Sequence, residues 1–552
     1  MARSTSRVGY NSVPTAPDDA VDGHGHLVHH NTHGVPIEAK NPLGNHVALT
    51  SAALLNMSQM IGIGVFSVAG PILKSTGSVG LLLVYWLLGP VIALISLAVY
   101  NEYASMFPER SGGEVVYLEQ AYPRPRFLVS TAFAVNALLL SSSATNCIVF
   151  AQYTIFAFEW EWTPRLQNLI AVSLAVSAVA VVGASTKWAL RAVNAITIVK
   201  LIALAFMVAV GIAVLAGRTP VQDPYANFHN MFEGSTMNPS SLATALVKIN
   251  YSFVGWGTAY NVLSEVRGGA PTVRKAGHIA VGVVSTLFFL VNVAYVAAIP
   301  KDEIENGGQL VAAHFFARVF GAGHAASKIL PAMIACSCAG NLIAVMLAQA
   351  RVLREVARQG LLPFPEFFAS IKPFGTPLAP VSLKLLITIL IIIAPPAEDA
   401  VNLLLDLSFY PGLVFNAALA AGVWVVRARR TKEGLPLASS QASDVLVVLF
   451  LAKSVFMLVM PWYAIPPEKG RSDVSIWYAT YCVVGLGILA LCGVYYYVWI
   501  ILLPRLGGYD IVEEVVELDG GARTRRLVRK YHEHDGTGEG QRQPREGDRL
   551  LD

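Results

Sequence analysis

Met60-Ile61-Gly62-Ile63-Gly64-Val65-Phe66 places two glycines inside an apolar stretch that otherwise runs from about Val47 to Leu73. Glycine weakens a helix by roughly 1 kcal/mol relative to alanine, and paired glycines let the backbone unwind and come close to a ligand. A second stretch, about Leu242 to Leu263, is interrupted in the same way by Tyr251-Ser252-Phe253-Val254-Gly255-Trp256-Gly257. In lipid, peptide groups freed by unwinding are tolerated only where protein buries them or a cavity receives them. A matched pair of broken helices therefore points to a binding site near the bilayer midplane. The competing reading is glycine for close helix packing, as in small-xxx-small contacts.

Composition supports a membrane setting. The chain of 552 residues is 54% hydrophobic and 14% charged, with a mean hydropathy of +0.54, whereas soluble domains carry about 25% charged residues. A net charge of +4, with the basic residues set between apolar runs, excludes a nucleic-acid-binding role. All five cysteines (Cys147, Cys336, Cys338, Cys482, Cys492) fall in apolar runs and read as small buried residues. Neither a disulfide framework, a metal site nor a cofactor is implied. The first 45 residues are polar and show no cleavable signal peptide.

The apolar runs predict an all-α membrane protein of twelve transmembrane helices, near 47–73, 78–105, 127–157, 166–186, 189–216, 242–264, 276–299, 327–356, 379–396, 401–426, 444–465 and 475–503. Residues 46–504 form the membrane domain, and the tails 1–45 and 505–552 read as disordered. His24, His26, His29, His30 and His33 in the first tail read as solvated low-complexity sequence. Basic residues cluster in alternate loops: Arg124 and Arg126, Lys187 and Arg191, Arg267, Arg274 and Lys275, Arg351, Arg354, Arg358 and Lys372, and Arg427, Arg429, Arg430 and Lys432. The positive-inside rule assigns those loops and both termini to the cytoplasm. Gly62 and Gly257 lie 195 positions apart, in spans one and six. That offset of five spans is what a five-plus-five inverted repeat with two added helices requires.

A half-helix that begins after a break presents unpaired N–H groups, and one that ends before a break presents carbonyls. Amides near Ile63 and Gly64 suit a carboxylate, and carbonyls near Ser252 to Val254 suit an ammonium group. A zwitterionic α-amino acid matches both poles. Met60, Ile61, Gly62, Ile63 and Gly64, with Tyr251, Ser252, Phe253, Val254, Gly255 and Trp256, are the candidate substrate-binding residues. Tyr251 reads as pocket lining, and Trp256 is open between lid and core. Lys200 lies eleven residues into span five. A charge at a helix centre costs roughly 2.5–3.5 kcal/mol on insertion scales and marks a functional pathway. Its ammonium suits the carbonyls freed by the first break and hydroxyls such as Ser337, taking the place of a sodium ion. Desolvation there disfavours the charged form, which makes Lys200 a candidate for proton coupling. Asn136, Asn146, Asn341 and Asn416 read as helix–helix contacts. Glu102 and Glu265, near span ends, are either gate partners for nearby arginines or solvated end charges.

With these residues in place, the chain resembles the amino acid–polyamine–organocation superfamily, and within it the L-type amino acid transporters and fungal high-affinity methionine permeases. The resemblance is carried by Ile61-Gly62-Ile63-Gly64-Val65-Phe66 with Leu73-Lys74-Ser75-Thr76-Gly77-Ser78-Val79-Gly80, by Phe107-Pro108-Glu109-Arg110-Ser111-Gly112-Gly113-Glu114, by Val199-Lys200-Leu201-Ile202-Ala203-Leu204, and by Ala350-Arg351 with Gly360-Leu361-Leu362-Pro363. Tyr117-Leu118-Glu119 followed by Arg124-Pro125-Arg126-Phe127-Leu128 inclines it toward the methionine-permease branch. The resemblance implies a leucine-transporter-type fold with discontinuous helices one and six. It places the ligand carboxylate on Ile63 and Gly64, the amine near Tyr251 and Val254, Tyr251 at the gate, and Lys200 in place of sodium. Ile63 departs from the usual Ser or Thr, and Tyr251 from the usual Phe. Phe158-Glu159-Trp160-Glu161-Trp162 has no cysteine, so the disulfide-linked heavy chain of the animal L-type transporters is not an expected partner.

The expectation is a plasma-membrane importer of neutral, methionine-like amino acids, sodium-independent and proton-coupled. An exchanger, or a non-transporting nutrient sensor with the same binding site, stays open. No H-E-x-x-H motif, paired aspartates or Ser-His dyad in the spans, and no phosphate-binding loop, points to an enzyme or an ATP-driven pump.

Overall fold

The computed structural model describes Glu38 and residues 41–140, 143–307, 310–321, 324–393, 398–462, 480–518 and 522–531. The histidine-rich part of the first tail lies outside the described residues. The helices run α1 (Leu49–Met60), α2 (Gly64–Ser67), α3 (Ala69–Thr76), α4 (Val79–Met106), α5 (Glu114–Ala121), α6 (Leu128–Val135), α7 (Ala144–Ala157), α8 (Pro164–Ala184), α9 (Thr186–Leu215) and α10 (Pro239–Ser252). After a 3-10 segment (Thr258–Glu265) follow α11 (Gly269–Ala298), α12 (Lys301–Asn306), α13 (Val311–Phe320), α14 (His324–Arg358), α15 (Pro365–Ala369), α16 (Leu378–Ile393), α17 (Glu398–Lys432), α18 (Asp444–Val459), α19 (Thr480–Tyr496) and α20 (Leu503–Gly507).

Local chemistry sets several boundaries. Gly77 takes a left-handed φ of 74° and ends α3. Ser78 then caps α4, its hydroxyl accepting from the Leu81 N–H at 3.3 Å. Thr163 caps α8 in the same way, with Pro164 at the first helical position.

Among the described residues, nine helices are long and apolar enough to cross a membrane. The segments expected at 127–157, 242–264 and 379–396 fall instead on shorter helices. The first of these holds a break that its sequence did not announce. After α6 the chain winds as a π-helix over Asn136–Leu140, and α7 starts only at Ala144. Helix α14 is central, packing against α1, α7, α8, α9 and α16, while α11 packs against α1, α4 and α9.

Several arginines of the basic loops, at one end of the helices, are paired with acids. Arg351 donates to Glu265 from Nε (2.8 Å) and Nη2 (3.0 Å), with both side chains fully buried. Arg427 grips both oxygens of Glu102, at 2.6 and 2.7 Å. The solvated reading of Glu102 and Glu265 is thereby overturned, since each carboxylate is 0% exposed. Arg110 bonds Glu119 at 2.6 Å and Glu355 at 2.9 Å. Burial by itself would lower the Arg110 guanidinium; Glu119 and Glu355 outweigh it and raise it above its usual range.

Both tails are ordered where they reach this end, which corrects the expectation of disorder there. Leu43 is buried, and Asn41 donates to the Ser264 carbonyl at 2.6 Å. Strands β1 (Tyr509–Glu517) and β2 (Arg523–Tyr531) form an antiparallel hairpin with Tyr509 opposite Tyr531. Its charges, which looked like disorder, pair across the strands as Arg525–Glu513 and Arg526–Glu514. Leu527 and Val528, on opposite faces of β2, are both buried. The hairpin docks on α14 and α15: Arg358 donates to the Arg523 carbonyl at 2.8 Å, and Arg526 meets Glu366 at 3.0 Å. Glu38 joins them, bonding Arg354 at 2.6 Å.

A buried ion pair makes a sharp stability prediction. Arg351→Met leaves Glu265 buried without its cation and is expected to cost about 3–5 kcal/mol, while adding Glu265→Gln recovers part of the loss. Thermal melting of the purified variants in detergent checks both. A single variant as stable as the parent contradicts the account.

Candidate functional site

The two glycine-containing breaks are real and lie against each other. The end of α1 stops at Met60; the Ile61 N–H still reaches the Met57 carbonyl at 2.8 Å, and Gly62 N–H turns back to Met60 O at 2.9 Å. Helix α2 starts afresh at Gly64. On the other strand of the pair, α10 stops at Ser252, and Gly255 adopts φ +114°, a conformation open to glycine and strained for other residues. Glycine is needed for space as well. A Cβ on Gly255 would sit 2.7 Å from Gln59 Cβ and 2.8 Å from Met60 N. A Cβ on Gly64 would meet Ser252 Cα at 3.1 Å. The amino end of α2 therefore abuts the carboxyl end of α10, setting a partial positive pole beside a partial negative one.

Helix starts leave amides without acceptors in their own helix. At α2 these belong to Gly64 and Val65, since the Phe66 N–H bonds the Ile63 carbonyl at 3.0 Å. The carbonyls below the break are taken up by side chains. Lys200, 3% exposed on α9, donates to Ser58 O at 2.9 Å and Ile61 O at 2.8 Å. Ser337 on α14 donates to Ile61 O at 2.7 Å and approaches Gly62 O at 3.3 Å. Gly340, one turn along, makes room for the lysine, since a Cβ there would lie 2.9 Å from Lys200 Cε. Lys200 and Ser337, paired in the sequence reading across 137 positions, thus share one carbonyl.

The remaining candidates divide. Ile63, Tyr251 and Trp256 are half-buried and Val254 is 38% exposed, so part of each stays accessible along the breaks. Met60 and Ile61 are buried and contribute backbone. Phe253 turns away: its ring packs between Trp86 and Phe288, with centroids 6.2 and 5.6 Å distant. Trp256 sits edge-on to Tyr100 at 4.7 Å, and Tyr100 also meets Tyr117 and Tyr260. Tyr100 also donates to Glu114 at 2.5 Å. Burial raises the Glu114 carboxyl above its usual range, opposed by that hydrogen bond.

Asn341 makes the helix–helix contact read for it, from α14 to α1, and makes it just before the first break, donating to Gln59 O at 3.0 Å. Several contributing residues escaped the sequence reading. Asn56 accepts from the Ala259 N–H at 2.8 Å, and Thr258 bonds the Gln59 side chain, tying the inner halves of the two broken helices together. Their signal was present: Asn56, Ser58 and Gln59 are polar residues just ahead of a break in an apolar helix.

A family model described as amino acid permease matches residues 48–489. The chain belongs to the amino acid permease family. It is 32% identical over 490 residues to the high-affinity methionine permease of Saccharomyces cerevisiae, covering 88% of this chain and 84% of that protein. To the low-affinity methionine permease of the same yeast it is 28% identical, over 89% and 88% of the two chains. The human b(0,+)-type amino acid transporter 1 is 25% identical, over 82% of this chain and 88% of its own. The protein is thus a multi-pass membrane transporter of the amino acid–polyamine–organocation superfamily, and not an enzyme.

Proposed function

We propose that this permease imports a neutral, methionine-like amino acid across the plasma membrane by alternating access, without sodium and with proton coupling. The observation that carries the reading is the meeting of the two breaks at Gly64 and Ser252, with Lys200 bonded to the carbonyls beneath the first. The start of α2 takes the carboxylate on Gly64 and Val65, and the end of α10 takes the ammonium group. A fixed ammonium at Lys200 occupies the place where a sodium ion would otherwise ligate the same carbonyls. The names of the two yeast relatives support methionine as cargo. In this reading the twelve spans form a five-plus-five inverted repeat, residues 46–504 being the membrane domain. Both tails, 1–45 and 505–552, and the arginine-rich end face the cytoplasm. The partners are the amino acid and the bilayer, without a disulfide-linked heavy chain.

The test is uptake of labelled methionine into proteoliposomes against a competition panel of twenty amino acids, at two pH values, with and without sodium. Competition by large neutral amino acids, stimulation by an inward proton gradient and indifference to sodium are the expected results. Dependence on sodium, or saturable binding with no uptake, overturns the reading.

A further inference from the structure

A second lysine is buried among the membrane helices. Lys384 on α16 is 1% exposed and belongs to the inward stripe Val381, Lys384, Thr388 and Ile392. It lies near the start of the span expected at 379–396, a position from which a long side chain can snorkel to the interface. The structure turns it inward instead. Lys384 Nζ donates to the Ala137 carbonyl at 3.2 Å. Ala137 lies inside the π-helical turn Asn136–Leu140, where the chain of span three departs from α-helical winding. Such turns are rare and gather at functional places.

The surroundings of this turn are polar out of proportion to their burial. Asn136 Oδ1, Ser143 Oγ and Thr388 Oγ1 are buried with no hydrogen-bond partner among the described residues. A buried charge in a membrane helix is a functional candidate by default.

Beyond the π-turn, the second half of span three leads to the substrate site. Helix α7 packs along α14, and Asn146 on α7 approaches Asn341 Oδ1 at 3.5 Å. Asn341 in turn donates to Gln59 O at 3.0 Å, and its amide nitrogen is what a Cβ at Gly62 would strike at 2.9 Å. Helix α16, which carries Lys384, also packs directly against α7 and α14, the two helices that bear Asn146 and Asn341.

We propose that Lys384 is a positioning residue for the substrate site: it pins the π-turn of span three, and through Asn146 and Asn341 sets the carbonyls and amides of the first break. The inference rests on the binding role given to that break. Lys200 holds the break directly; Lys384 holds the helix against which it is aligned.

The test uses full-length protein and the labelled amino acid that the wild type carries fastest. Lys384→Met is expected to raise KM and the equilibrium Kd by about tenfold, with Vmax per molecule within about twofold, as misplacement of a binding group does. Lys384→Arg recovers most of the affinity. Asn146→Ala reproduces the defect, and the Lys384→Met, Asn146→Ala double variant is no weaker than the weaker single, because one route carries both effects. If the methionine variant does not reach the membrane, Lys384→Gln, a donor without charge, carries the same comparison. Unchanged Kd with lowered melting temperature overturns the proposal in favour of a purely structural lysine. So do single-variant losses that multiply in the double variant. A wild type that binds but does not transport overturns import alone, since Kd still reports the effect of Lys384.

Discussion

Lys200→Ala is expected to abolish coupled uptake at every pH while the protein still reaches the membrane. The substitution removes both buried hydrogen bonds from the lysine to Ser58 O and Ile61 O. With Ile61 O still held by Ser337, Ser58 O is the group left unsatisfied, which places about 1–3 kcal/mol against the geometry of the break. Ser337 keeps one bond to Ile61 and limits the damage to the fold. The first break is then free to rewind, and the amides of Gly64 and Val65 lose their aim. Labelled uptake per molecule, with surface labelling as the control for delivery, checks the expectation. Near-normal, pH-dependent uptake by the variant refutes the role.

The second large effect concerns space rather than charge. Gly64→Leu is expected to eliminate binding of the labelled amino acid, because its first side-chain carbon already falls 3.1 Å from Ser252 Cα and Ser252 Oγ. Backbone at Ser252 cannot yield as a flexible side chain would. The leucine must therefore push apart the start of α2 and the end of α10, the two poles that the zwitterion has to bridge. Gly64→Ala is a milder form of the same insult and is expected to weaken binding without removing it. Equilibrium binding to purified variants distinguishes the grades. Unchanged affinity in the leucine variant shows that the two helix ends do not jointly hold the ligand.

How much of this was legible follows from the chemistry of each element. Apolar runs as long as Val79–Met106 or Gly269–Ala298 have few destinations other than a bilayer, and they read directly. The breaks in spans one and six were legible because glycine marks them, and Lys200 because a lone cation in an apolar helix is conspicuous. The break in span three was not. Asn136-Ala137-Leu138-Leu139-Leu140 contains no glycine or proline, and the partner of its carbonyl, Lys384, lies 247 positions away. Only tertiary contact exposes it. The hairpin was missed for a related reason. Arg523 to Tyr531 is dense in charge, and its order depends on acids in β1 and on Glu366, Ala357 and Arg358, which a local reading does not place beside it. Glu102 and Glu265 were recognised as gate candidates, but their arginine partners sit on helices distant in the chain.

Val47 donates to Glu265 O at 3.0 Å and accepts from the Arg267 N–H at 2.9 Å, a short parallel rung that ties the chain just before α1 to the chain just after the second break. Two segments separated by more than two hundred residues are thereby spliced into a single lever. Under the alternating access proposed above, the α1 half of span one is expected to carry the 3-10 segment with it and to load the Glu265–Arg351 contact in the same stroke. A fusion or antibody fragment clamped onto residues 41–47 would accordingly brake both arms of the machine at once, from a handle far outside the ligand's reach.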